Sequence, residues 1–137
     1  MKNLKFYFSL IVFVLGVSAA NGQSITTLFA SNNGGSLGGA VYFDVTIGPA
    51  DLDITSFDIN VAELATPITM DVYTLVGNSS GNETNMAAWT LSGSATGNIA
   101  NGDDNPSPVT LAAPITLSAG TTYGMALVMT SNHGHEY

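Results

Sequence analysis

From Ala40 to Ile47 the chain reads Ala-Val-Tyr-Phe-Asp-Val-Thr-Ile, with its apolar residues at every second position. Val41, Phe43, Val45 and Ile47 point one way; Tyr42, Asp44 and Thr46 point the other. A period of two cannot lay an apolar stripe along a helix, but it fits a half-buried strand. The pattern recurs down the chain. Phe57, Ile59 and Val61 share one face, with Ser56, Asp58 and Asn60 opposite. Leu52 and Ile54 fall out of step with that set, which predicts a β-bulge near Thr55-Ser56. Ile68, Met70 and Val72 alternate with Thr69, Asp71 and Tyr73, and Tyr123, Met125, Leu127 and Met129 share a face of 121–130. Ser24–Ala30 reads as a short first strand and Ala88–Leu91 as another short piece. Val109 with Leu111, and Ile115 with Leu117, flank Pro114, whose missing N–H limits central sheet pairing there.

Turn clusters separate these strands: Ser31–Gly35, Gly48–Ala50, Gly77–Asn82, Gly97–Pro108 and Ser118–Gly120. Gly supplies positive φ, Pro fixes φ, and Asn and Asp bond their own backbone, so each cluster has a mechanism for turning the chain. No segment reads as a helix. Seven or eight short strands at this spacing predict one all-β domain, a single antiparallel β-sandwich of jelly-roll or Ig-like kind.

Residues 1–22 read as a secretory signal peptide. Lys2 and Lys5 give the positive start, Phe6–Val17 is an almost wholly apolar run, and Val17-Ser18-Ala19 is a small-residue cleavage pattern. The apolar run is short of the roughly 20 residues a spanning helix needs. The domain is therefore expected over 23–137, secreted or at the cell surface, with no integral membrane segment after cleavage. The chain has no Cys, so no disulfide, thiolate metal site or cysteine nucleophile is available. All ten acids lie at or after Asp44, and no Lys or Arg follows Lys5. Without a basic patch to neutralise phosphates, nucleic-acid binding is excluded.

Several stretches together resemble an all-β domain of secreted bacterial proteins, which often carry PEP-CTERM or type IX secretion sorting signals. They are Phe29-Ala-Ser-Asn-Asn-Gly-Gly-Ser-Leu-Gly-Gly-Ala-Val-Tyr-Phe-Asp44, Asp71-Val-Tyr73, Val76-Gly77 with Gly81-Asn-Glu83, Ala88-Trp-Thr-Leu91, Asp104-Asn-Pro-Ser-Pro-Val109 and Gly120-Thr-Thr-Tyr-Gly-Met-Ala-Leu-Val128. The resemblance implies the fold and the location, and supplies no catalytic residue. In similar proteins the chain continues past the equivalent of Gly134–Tyr137 into further strands. The resemblance thus implies a C-terminally truncated sandwich with an open sheet edge.

Three constellations are candidates for function. Trp89, Tyr73 and Tyr42 can stack on sugar rings if exposed, and Tyr42 and Tyr73 alternate away from the apolar faces. Asp51 with Asp53, and Asp103 with Asp104, offer the hard oxygen ligands that Ca²⁺ takes, although no EF-hand spacing is present. His133-Gly-His135-Glu136 has the residue types of a metal site, against a plainer reading as a polar loop entering a strand. No Gly-X-Ser-X-Gly elbow occurs, and no carboxylate spacing selects a glycosidase pair. No catalytic residue and no cofactor other than Ca²⁺ is therefore assigned. The sequence reads as a non-catalytic structural or adhesive module whose partners are polysaccharide or other cell-surface components. A calcium-dependent carbohydrate-binding module is the first alternative, and a small secreted hydrolase the second.

Overall fold

The computed structural model describes residues 24–25, 33–62 and 64–137. The expected signal peptide at 1–22 and most of the expected first strand at 24–30 lie outside the described residues. Six strands form among the described residues: β1 (Ala40–Thr46), β2 (Leu52–Ile59), β3 (Pro67–Val76), β4 (Thr90–Ile99), β5 (Ser107–Leu117) and β6 (Thr122–Met129). The only helical turn described is a 3₁₀ turn at Met86–Ala88. The strands make one sheet in the order β1-β6-β3-β4-β5-β2, with every pairing antiparallel. The all-β antiparallel class read from the alternation is the class observed.

The connection between β1 and β2 forces this sheet to curl. β1 and β2 are its two edges, yet only residues 47–51 join them. A flat sheet of six strands would hold its edges about 24 Å apart. The link reaches at most about 20 Å fully extended, and it is not extended, because it bends at Pro49 and Ala50. The sheet therefore folds over until its edges approach. The β5–β6 turn lies beside this link: Gly120 N–H donates to the Gly48 carbonyl (2.8 Å), and Ala119 N–H to Asp51 Oδ1 (2.8 Å).

Curling encloses one face. Ile68, Met70 and Val72 of β3, Val109, Leu111, Ile115 and Leu117 of β5, and Met125, Leu127 and Met129 of β6 form one core with Ile59 and Val61. Phe43 and Val45 of β1, and Leu52, Ile54 and Phe57 of β2, close it from the edges. The bulge read at Thr55-Ser56 is present, since the β2–β5 register shifts between Ile54 and Ser56. Its physical cause sits on β5. Thr110 pairs with Ser56 and Ile115 with Ile54, so Leu111–Pro114 lie opposite Thr55 alone. Pro114 has no N–H to donate, and the exposed Ala112-Ala113-Pro114 stretch is where β5 bends away from β4.

One expectation fails in β4. Gly97–Pro108 reads as a turn, but β4 runs on to Ile99 and β5 begins at Ser107. Gly97 is in the strand because β5 crosses it closely; a Cβ there would lie 2.5 Å from the Pro108 carbonyl oxygen. The true turn is 100–106. It is held by Asn101 Nδ2–H on the Pro106 carbonyl (2.6 Å) and by Asp104 in the left-handed region at φ 61°.

After β6 the chain runs extended between two segments. Gly38 and Gly35 N–H donate to the His133 and His135 carbonyls, and Glu136 N–H donates to Asn60. His135 bridges to Val61, and Glu136 to Gly34.

Candidate functional site

The outer face of β1-β6-β3 can be read directly from the strand register. Tyr42 pairs with Ala126, and Ala126 with Tyr73, so the three lie in one row. Tyr73 in turn faces Leu91 of β4. The two tyrosine Cα atoms are therefore roughly 10 Å apart, two strand spacings, with a small alanine between them. The next row carries Ala40, Val128 and Asp71. Asp71 Oδ1 accepts a hydrogen bond from the Ser94 hydroxyl at 2.6 Å.

The loop from Gly77 to Trp89 folds back over one end of this face. It docks because Gly124 has no side chain; a Cβ there would lie 2.8 Å from Ser79 N. Ser79 N–H donates to Asp44 Oδ1 at 2.7 Å, and the Tyr42 hydroxyl donates to the Glu83 carbonyl at 3.2 Å. Trp89 follows the 3₁₀ turn and donates its Nε1–H to the Asn82 carbonyl at 2.8 Å. This lays the indole beside the Tyr42 ring, with centroids 5.6 Å apart and planes tilted by 53°.

Tyr42, Tyr73 and Trp89 thus converge, as three residues far apart in sequence. With Met86, Ala126 and Val128 they line a shallow cleft of about 20 Å³, room for roughly one water. A ligand here would lie on the surface rather than inside it. Met86 and Leu91 are both more than half exposed, which extends the apolar strip on either side. Sequence reasoning missed Met86, Ala126, Val128 and Leu91. The outward placement of Ala126 and Val128 follows from the same alternation that sends Met125 and Leu127 inward.

The acids do not assemble. Asp51 and Asp53 lie at the start of β2, whereas Asp104 lies beside Asn60 just beyond its end, with Asp104 N–H on Asn60 Oδ1 at 2.9 Å. The two pairs are separated by the length of an eight-residue strand, about 25 Å, and cannot share one ion. Asp51 accepts from Ala119 N–H, and Asp53 Oδ1 from the Thr116 hydroxyl at 2.6 Å. Among the described residues, no three His, Asp or Glu side chains are grouped as a metal cage.

No protein-family model matches this chain, and no curated protein matches its sequence. The geometry therefore stands alone. No helix among the described residues is long and apolar enough to cross a membrane.

Both histidines lie in the interior. His135 is buried and its Nε2–H donates to the Leu127 carbonyl at 3.1 Å. Burial lowers its pKa below the ordinary value, and the Leu127 hydrogen bond only partly opposes that. His133 is fully buried, with Nδ1 2.7 Å from the Ser131 hydroxyl and no partner for Nε2 among the described residues. The strand entry read at this segment is present as the bridges at His135 and Glu136, and the loop before it carries His133 into the interior rather than to solvent.

Proposed function

We propose that this chain is a non-catalytic adhesive module of an exported bacterial surface protein, binding through the outer face of β1-β6-β3. The observation that carries this reading is the convergence of Tyr42, Tyr73 and Trp89 on an uncovered sheet face, flanked by exposed Met86 and Leu91. Aromatic and methionine side chains are the ones enriched at binding surfaces. The rings are also held in place before any partner arrives, because Tyr42 and Trp89 each hydrogen-bond the folded-back loop. A preset surface loses little side-chain freedom on binding. The signal-like residues 1–22 and the resemblance to secreted domains support export.

Solid-phase adhesion tests the reading. Labelled protein is applied to surfaces coated with extracellular polysaccharides and with matrix proteins. Retention is expected for the native sequence, with a loss of about tenfold in Tyr73→Ala. Retention equal in the two proteins would move the adhesive surface elsewhere.

A further inference from the structure

Resting on that adhesive reading, we infer that the outer-face strip is a stacking subsite for an uncharged pyranose chain lying across β1, β6 and β3. Charge decides the class of partner. No Lys or Arg follows Lys5, while Asp44, Glu83 and Asp71 lie around the strip. Nucleic acids, anionic lipid surfaces and acidic polysaccharides would meet only like charge. A second copy of the chain fits no better. A two-fold contact would set this acidic face against itself, with no cation to pair it.

A neutral partner with an apolar face and hydroxyls at its edge escapes that repulsion and suits an aromatic strip with a polar rim. A pyranose ring does so: its axial C–H bonds give an apolar face for aromatic stacking, and its hydroxyls project from the rim. The strip matches both parts. Tyr42 and Tyr73 stand on either side of Ala126, so a ring can lie across the two rather than enter the one-water cleft between them. Trp89 and Met86 extend the stacking surface at one side. The rim beyond Val128 supplies acceptors and donors. The Ser94–Asp71 pair lies there, followed by the Thr130 hydroxyl donating to the Thr69 hydroxyl at 2.8 Å. The cleft's shallowness agrees with a chain that lies along the surface rather than a sugar end that plugs a hole.

Affinity electrophoresis through gels containing a soluble neutral glucan, a galactomannan or alginate tests this. The expected result is retardation by a neutral polymer and none by alginate. Tyr73→Ala is expected to weaken retardation about tenfold, and Tyr73→Phe to keep it, since stacking needs the ring and not the hydroxyl. Tyr73 is the residue to change because, unlike Tyr42, it makes no hydrogen bond to the loop. Thr116→Ala, on the outer face of β5 beside Asp53 and two strands beyond β3, serves as the unaffected control. Equal retardation by alginate would overturn the inference, as would equal losses in the Phe and Ala variants. Absence of retardation in every gel, alongside Tyr73-dependent adhesion to protein-coated surfaces, would overturn the inference while leaving the adhesive reading intact. Adhesion that ignores Tyr73 would overturn both.

Discussion

Gly97 owes its place in β4 to what it lacks. Its backbone runs so close to β5 that a methyl group would sit 2.5 Å from the Pro108 carbonyl and 2.9 Å from Val109 Cγ1. Both obstacles are fixed, one being main chain and the other a fully buried core side chain. Gly97→Ala must therefore push β5 off β4, at a cost typical of overpacking, about 1–3 kcal/mol. Gly48 is the useful contrast, because a Cβ there meets nothing within 4 Å. Gly48→Ala is expected to stay within about 0.5 kcal/mol of the native protein. Urea titration of both variants checks the difference. Equal stability of the two variants would overturn the close-contact account of Gly97. The same residue explains a misreading of the sequence. Gly in Ser-Gly-Ser-Ala-Thr-Gly-Asn looks like turn chemistry, and only the neighbouring strand reveals that the missing side chain is a packing requirement.

The loop from Gly77 to Trp89 is the element that turns a plain sheet face into a candidate site. Asp44 anchors it by accepting the N–H of the buried Ser79. Asp44→Ala leaves that donor without a partner, at a cost of about 1–3 kcal/mol, charged mostly to the loop. Trp89 is the only tryptophan, so its emission reports on the loop directly. Red-shifted emission and easier quenching by acrylamide are expected in Asp44→Ala, with a smaller change in Asp44→Asn, which keeps an acceptor. Unaltered emission in Asp44→Ala would show that the tyrosine and tryptophan contacts hold the loop alone. Part of this arrangement was legible in the sequence. Alternation placed Tyr42 and Tyr73 outward, and the mismatch of Leu52 and Ile54 with Phe57 located the β2 bulge. Their meeting with Trp89 was not legible. It depends on β6 lying between β1 and β3, which pairs Ala126 with Tyr73, 53 residues before it, and with Tyr42, 84 residues before it. Met86 carries no period at all, because a 3₁₀ turn of three residues is too short to show one.

At the scale of the whole molecule, the C-terminal clasp ties sheet stability to pH. The segment after β6 is stitched between residues 33–38 and Asn60–Val61, and it carries His135 into the interior against Leu127. The ring meets the Leu127 carbonyl, while the His135 backbone pairs with Val61 and its carbonyl accepts the Gly35 N–H; Glu136 and His133 are neighbouring titratable groups in the chain. Burial makes the folded-state pKa of His135 lower than that of the unfolded chain. Between those two values the unfolded chain binds the extra proton, so acid favours unfolding. The contribution is complete above the unfolded value of about 6.5 and is lost as pH falls from there toward the folded value. The slope from a single proton cannot exceed about 1.4 kcal/mol per pH unit. Ordinary carboxylates titrate mainly below about pH 5, so the interval between pH 6.5 and 5 sets them aside, and the His135 variant assigns what remains. Urea midpoints measured across that interval in about 0.15 M salt, which screens the acidic surface, are expected to fall with pH in the native protein. His135→Gln keeps an N–H for the Leu127 carbonyl but cannot be protonated, and its midpoints are expected to fall less steeply. An unchanged slope in that variant would place the acid sensitivity outside His135 and leave that side chain as packing alone.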